Sequence, residues 1–393
     1  MSNSVVIASI ARTPIGRFCG SFSGLKGSEL ASSAIKGALA KLPDNVHISE
    51  CIMGNVVSAG MGQAPARQAV LYAGLPESTI CTTINKVCAS GMKSVMMASQ
   101  ALQCGQNGAM LAGGFESMSN IPHYLKASRT GTKLGNTTLI DGVVHDGLWD
   151  IYNDQHMGMC GEQCAKEYDI SRDDQDAYAM ESYRRAQAAL AEGVFGEVIS
   201  VEIPQRRGDP VVVIEDEEPG SVEIDKIASL KPAFDRTSGT ITAANASSLN
   251  DGACAMVLMT ETEALDRGIK PLAKIRGFGD AAQAPVDFTT TPSLAVPVAL
   301  RNAGVEASDV DFHEINEAFS VVALVNMQLL NLDPTRVNVF GGAVSLGHPI
   351  GMSGARIVGT LYNALKHKDG SIGCASICNG GGGASAIVIE RLE

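Results

Sequence analysis

Thr82-Thr83-Ile84-Asn85-Lys86-Val87-Cys88-Ala89-Ser90-Gly91-Met92-Lys93 runs from a β-branched segment through a short turn into an Ala- and Met-rich stretch that reads as helix to about Gln103. Met110-Leu111-Ala112-Gly113-Gly114 follows as the next strand. Strand, turn, helix and strand in that order form a βαβ unit. The same alternation recurs at both ends of the chain, which predicts an α/β fold around a largely parallel sheet. Val5 to Ile10 reads as the first strand, and apolar residues at 30, 34, 35, 38, 39 and 42 form a helical stripe in Ser28 to Leu42, with Ser28 as its N-cap.

The middle third breaks this pattern. Residues 120–145 are polar, Gly- and Thr-rich and aperiodic, after which Ser171-Arg172-Asp173-Asp174 opens a helix as a capping box and Gly193 closes it. Val198 to Ile203 and Val211 to Ile214 read as a hairpin, and the acidic run Glu215 to Glu218 as solvated loop. From Cys254-Ala255-Met256-Val257-Leu258-Met259 the alternation returns, ending on strands at Ser371 to Cys378 and Ala384 to Ile389. At 393 residues the chain exceeds what one core usually serves, so two or three domains are expected. The two outer parts look like versions of one plan, although no residue-level repeat proves it.

Composition narrows the function. With 45% hydrophobic and 18% charged residues and 42 glycines, the chain reads as a globular protein with ample core. A net charge of −12, with basic residues scattered singly, offers no footprint for a nucleic-acid backbone. No apolar run approaches the roughly 20 residues that span a bilayer, so no membrane partner is expected. Met1 to Pro14 shows no charged n-region, apolar h-region or Arg-rich transit pattern, and a cytoplasmic location is the expectation. Ten irregularly spaced cysteines then read as reduced thiols.

Four clusters carry chemistry. Cys88 sits at a strand-to-helix turn, where unpaired N–H groups and the helix dipole would lower its pKa and favour the nucleophilic thiolate; a buried core cysteine is the alternative. Gly341 to Arg356 is a glycine-dense loop that holds His348, a group able to move a proton near neutral pH. In Cys374-Ala375-Ser376-Ile377-Cys378-Asn379-Gly380-Gly381-Gly382-Gly383 a second cysteine precedes a polyglycine turn, whose N–H groups could cradle an oxyanion or merely make the turn tight. His313-Glu314-Ile315-Asn316-Glu317-Ala318-Phe319 leaves a strand with an amide side chain at its mouth. Zinc is disfavoured, since Cys160/Cys164 and Cys374/Cys378 are CxxxC pairs without a matching partner, and neither GxGxxG after the first strand nor GxxxxGK[ST] occurs.

Together, in this order, these four elements resemble the thiolase family, and the similarity runs from Arg12-Thr13-Pro14-Ile15-Gly16 to the last strand. The family's motifs match Cys88 to Gly91, Asn316 to Phe319 (NEAF), His348 to Gly354 (GHPxGxSG) and Cys378 to Gly382 (CxGGG). What the resemblance implies is the thiolase fold: two similar βαβαβαββ halves in a five-layered α-β-α-β-α arrangement with an inserted loop domain. Its implied divisions are 1–118 with 249–270 returning to it, 119–248 for the loop domain, and 271–393.

The implied activity is that of an acetyl-CoA C-acetyltransferase, the reversible joining of two acetyl-CoA to acetoacetyl-CoA and CoA. Cys88 would be the acylated nucleophile, activated by His348, and Cys378 the general base. One oxyanion site would be His348 with a water held by Asn316, the other the N–H groups of Cys88 and Gly380. CoA thioesters would be substrates, with no prosthetic group. Contacts to them are implied at His156, Met157, Lys226, Ser247, Leu249, Phe288, Ala318 and Phe319; Ser221 stands where relatives carry an arginine. Potassium ligands are implied at Tyr183, Ala243, Ala244, Ala246 and Val344, while packing on a helix face is the other use of Tyr183. The stretch near 120–145 resembles the family's tetramerisation loop, which implies a homotetramer of tight dimers.

Rival readings are a 3-ketoacyl-CoA thiolase of fatty-acid degradation, against which the bulk of Met157 and Phe288 argues, and 2-methylacetoacetyl-CoA thiolysis, since Phe288 resembles the mitochondrial-type branch that also accepts that substrate. A decarboxylating ketoacyl synthase is disfavoured by the second cysteine, Cys378.

Overall fold

The computed structural model describes residues 4–106 and 108–393, so the first three residues of the N-terminal stretch and Asn107 lie outside the description. The first half contains β1 (Val5–Arg12), α1 (Gly27–Leu39), β2 (Ile48–Gly54), α2 (Pro65–Tyr72), β3 (Ile80–Ile84), α3 (Ser90–Gln103) and β4 (Ala109–Ser117). An excursion carrying α4 (Met157–Glu167) and α5 (Arg172–Ala191) then returns through β5 (Asn250–Thr260). The second half contains β6 (Ala273–Ala282), α6 (Pro292–Ala303), β7 (Phe312–Ile315), α7 (Ser320–Leu330), α8 (Ser353–His367), β8 (Ile372–Asn379) and β9 (Gly383–Arg391).

Strand order shows the duplicated plan that the residues alone did not. The first half runs β1-β5-β4-β2-β3, with β2, β3 and β4 parallel and β5 antiparallel to its neighbours. The second runs β6-β9-β8-β7 with the same directions, and an isolated parallel bridge from His313 to Val337 stands where β3 stands in the first. The two sheets are not separate. Val5, Val6 and Ile7 of β1 pair antiparallel with Ile275, Lys274 and Ala273 of β6, joining both halves edge to edge.

Helices α3 and α8 pack on each other between the two arms of this sheet, while α1 and α2 cover one outer face and α6 and α7 the other. This is the five-layered order. It explains why β1 is buried at every position and why α8 is buried from Ser353 to Leu365: both lie in layers covered on two sides, so that even their polar side chains, Arg12, Arg356 and Asn363 among them, are withdrawn from solvent.

Local expectations held with two exceptions. Ser171 accepts from the Asp174 N–H and Asp174 reciprocates, closing the capping box of α5, and the hairpin pairs Val201–Ile203 with Val211–Val213. Helix α1, however, is capped two residues earlier, by Lys26 rather than Ser28, because Glu29 accepts the Lys26 N–H. The acidic run is likewise only partly solvated. Asp216 and Glu218 are buried, and Asp216 takes both Nη1 (2.7 Å) and Nη2 (2.9 Å) of the fully buried Arg12. Glu197 holds Nε of the same guanidinium at 2.9 Å, and Asn250 Nδ2 donates to Glu218. Sequence patterning reads charge runs as solvent-facing and has no way to register a cation arriving from 204 residues away.

Candidate active site

Cys88 lies two residues before α3, in a turn whose geometry is unusual: Val87, a β-branched residue, has φ +48°. Side chains hold this strained backbone. Asn85 Oδ1 accepts the Val87 N–H at 2.9 Å, and Ser90 Oγ accepts the Lys86 N–H at 2.8 Å while donating to the Val87 carbonyl at 2.7 Å. Lys86 Nζ reaches Asp280 (2.5 Å), Ser385 and the Ala384 carbonyl, pinning the turn to the second half. Gly91 is required by close approach, since a Cβ there would lie 2.8 Å from the Ala355 nitrogen and 3.0 Å from the Gly351 carbonyl.

That approach brings in the histidine loop. Gly347 at φ +102° turns the chain, and the His348 N–H donates to Asn250 Oδ1 at 2.8 Å. Asn250 Nδ2 in turn donates to the Gly16 carbonyl, so the Arg12 to Gly16 segment helps to place the imidazole. Ser353 Oγ donates to the Pro349 carbonyl at 3.0 Å, so at 2.6 Å it accepts from His348 Nδ1–H. This network assigns the tautomer and leaves the Nε2 lone pair facing Asn316, whose Nδ2 is 3.4 Å away. Asn316 is fixed through its own N–H to the Ser376 carbonyl at 2.9 Å, and its Oδ1 is buried without a partner.

The third cluster closes the site. The N–H groups of Gly380 and of Cys88 itself lie close enough to the Cys88 sulfur to favour its thiolate. Cys378, buried at the end of β8, is close enough that charge on Cys88 would penalise its own ionisation. Gly382 permits the turn beyond: it has φ +84°, and a Cβ would lie 2.2 Å from the Gln283 carbonyl.

Electrostatics correct one expectation. Burial pushes the Cys88 thiol up to about 12, against the pull of the two N–H donors, and pushes Cys378 well above the usual thiol range. Burial, with the Arg356 charge added, lowers His348 to about 3. The resting site therefore holds two neutral thiols and a neutral imidazole. A helix N-terminus is visible in the sequence; the desolvation that outweighs it is not.

A cavity of about 390 Å³ opens on Cys88 and His348. Of the residues expected at CoA, His156, Met157, Ser247, Leu249, Phe288, Ala318 and Phe319 line it, and Lys226 does not. Lys226 sits on an exposed short helix, paired with Glu223 at 2.6 Å. His156 caps α4 through Nδ1, which accepts the Gly158 N–H at 3.0 Å, and stacks on Phe234 at 4.6 Å. Its Nε2 is thus the protonated nitrogen. Ser247 Oγ donates to the Ala318 carbonyl at 2.9 Å, leaving its lone pairs for a ligand donor. Tyr183, Ala244 and Val344 share one buried cluster, while Ala243 and Ala246 lie on the cavity wall.

The arrangement joins a buried thiol, an imidazole whose Nε2 carries the lone pair, a second buried thiol and N–H donors beside an apolar cavity: groups that can serve acyl transfer. Asn250, Ser353 and Phe234 were missed by sequence reasoning. Ser353 was within reach, being the serine of the motif that begins at His348; nothing local marks the other two. Among the described residues no group of three or more His, Cys, Asp or Glu side chains could hold a metal.

Known proteins agree with this geometry. Residues 5–262 match the thiolase N-terminal domain and residues 269–391 the thiolase C-terminal domain. Acetyl-CoA acetyltransferase 1 of Arabidopsis thaliana is 56% identical over 392 residues, covering 99% of this chain and 94% of that one. The mitochondrial acetyl-CoA acetyltransferase of Bos taurus is also 56% identical, covering 99% and 92%, so the compartment expected above is not common to all relatives. The Acat5 thiolase of Ascaris suum, solved in complex with coenzyme A, superposes with a TM-score of 0.93 at 45% identity, covering 99% of this chain and all (100%) of that one.

Proposed function

This chain belongs to the thiolase family and is an acetyl-CoA C-acetyltransferase; from that premise we propose that it joins two acetyl-CoA molecules through an acetyl group carried on Cys88. The observation that carries this reading is that Cys88, from the first half, meets the Gly380 N–H and the Cys378 thiol from the second and shares its cavity with His348, also from the second.

In the first half-reaction Cys88 Sγ attacks the thioester carbonyl as its proton passes to His348 Nε2. The N–H groups of Cys88 and Gly380 receive the oxyanion, each good donor contributing about 3 to 4 kcal/mol. CoA leaves as thiolate and takes a proton from Cys378. The site then holds acetyl-Cys88, an imidazolium and a thiolate.

A thiolate so poorly solvated is a strong base, which suits the removal of a proton from a weak carbon acid. Cys378 takes the Cα proton of the second acetyl-CoA, whose oxygen lies between the imidazolium Nε2–H and a water on Asn316. The enolate attacks acetyl-Cys88, and the departing Cys88 thiolate recovers its proton from His348. Every group ends as it began. The partnerless Oδ1 of Asn316 supports a bound water there. Brief mixing with acetyl-CoA followed by intact-mass and peptide mapping tests this: one acetyl group on Cys88 is expected, and none, or one elsewhere, would overturn the reading.

CoA lies along the cavity walls of residues 119–248, the segment we assign as the loop domain, with the solved CoA complex of the Ascaris suum thiolase in support. Met157 and Phe288 close the acyl end, which favours short acyl groups. Potassium fits beside it. The carbonyls of Ala243, Ala244, Ala246 and Val344 accept no hydrogen bond among the described residues, and the Tyr183 phenol packs with Ala244 and Val344. An ion held there would fix the loop that presents Ser247 to the ligand. KM for acetyl-CoA is expected to be lower in KCl than in NaCl of equal strength, and equality would remove potassium from the reading.

We also propose a homotetramer. Leu134, Leu139, Ile151 and Tyr152 project into solvent with relative exposures of 107%, 61%, 76% and 73%; large apolar side chains so exposed support a partner surface there. Light scattering should give four chains, and a monomer would refute it.

A further inference from the structure

Glu116 ends up at the centre of the molecule with no cation beside it. It is fully buried at the end of β4, and no ion pair involves it among the described residues. Its carboxylate instead accepts neutral donors from two directions. Asn55 Nδ2 donates to Oε1 at 2.9 Å, the Val56 N–H to Oε2 at 2.9 Å and the Val57 N–H to Oε1 at 3.2 Å. The Gly351 turn of the histidine loop presses on the same carboxylate, close enough that a Cβ there would lie 2.7 Å from Oε2 and that its N–H favours the charged form.

The first set of donors leads to the nucleophile. Val56, held by its N–H, offers its carbonyl to Asn85 Nδ2 at 3.0 Å, and Asn85 Oδ1 holds the Val87 N–H at 2.9 Å. The second leads to the base, since Gly351 is three residues beyond His348 and precedes Ser353, the acceptor of its Nδ1–H. One carboxylate is thus bonded to the supports of both reacting groups, which come from different halves of the chain.

We propose that Glu116 is the positioning residue that sets Cys88 against His348, by holding the Asn55–Val57 segment and the Gly351 turn on a single carboxylate. This rests on the roles given above to Cys88 and His348. A carboxylate suits the post because it accepts at four points without offering a proton, whereas an amide would turn an N–H₂ toward one of the donors. The location is also costly for a charge: burial raises Glu116 to about 7 against the pull of its four N–H donors, and its charge in turn disfavours the Cys88 thiolate. Cys88 is the titratable group that this charge is shown to reach.

Glu116→Gln and Asn85→Ala test this beside the wild type. Glu116→Gln should lower kcat about 10²-fold, the scale of a 1 Å misplacement, with KM for acetyl-CoA little changed. Removing the negative charge should also move the pH profile of Cys88 alkylation by iodoacetamide, read on the Cys88 peptide, to lower pH. Asn85→Ala breaks the same linkage without touching the charge, so kcat should fall while the alkylation profile stays in place. If Glu116→Gln does not fold, Asn85→Ala decides. Folded variants with unchanged kcat, or a Glu116→Gln loss seen only as raised KM with an unmoved profile, would overturn the proposal. Wild type that is not acetylated on Cys88 would instead sink the underlying site assignment.

Discussion

Cys88→Ser is expected to lower kcat by at least about 10⁴-fold and to leave no acetyl group on the chain after mixing with acetyl-CoA. The substitution is nearly isosteric, and the Gly380 and Cys88 N–H groups remain in place, so folding and CoA binding should survive. What is lost is acidity and nucleophilicity. The resting thiol is already hard to ionise, pushed to about 12 by burial, and His348, lowered to about 3, is a weak base in the same surroundings. A hydroxyl starts several units further from ionisation, beyond what that imidazole can drive. Intact-mass spectrometry and steady-state assay read the two effects together; acetylation at the wild-type rate would show that another residue carries the acyl group.

Cys378→Ala should separate the half-reactions. Acetyl transfer to Cys88 should still run to a single adduct, because CoA can leave as thiolate and the oxyanion donors are untouched. Condensation should fall about 10²- to 10⁴-fold, the usual worth of a positioned general base. The acetylated protein should therefore accumulate, and it should exchange acetyl groups with labelled acetyl-CoA. Equal loss of acetylation in Cys88→Ser and Cys378→Ala would show that the two thiols do not divide the work as proposed.

The fold was legible where one segment suffices to declare itself. The β-branched run before Cys88, the capping box at Ser171 and the small, mostly apolar residues of the last strands each state their structure locally, and the motifs around Cys88, His348 and Cys378 are short and contiguous. What stayed hidden is whatever depends on pairs distant in sequence. Nothing within the acidic run Glu215 to Glu218 marks Asp216 as the partner of Arg12, and nothing near Asn250 marks it as the acceptor that orients His348. Burial was hidden for the same reason. A helix N-terminus can be read from residues, but the desolvation that raises Cys88 arises only once both halves have closed around it.

The antiparallel pairing of Val5–Ile7 with Ala273–Ile275 has a bearing on how acyl groups are told apart. Enzymes built of two lobes often select by closing on the right ligand, bending at a few unpaired residues. Here the lobes share backbone hydrogen bonds and a common helical layer, so that bending would break the sheet at its middle. The cleft is consequently a mould rather than a jaw. With the acyl end placed at Met157 and Phe288 as proposed above, discrimination among acyl chains would come from the standing shape of that wall, and a change of range from a change in those side chains' volume.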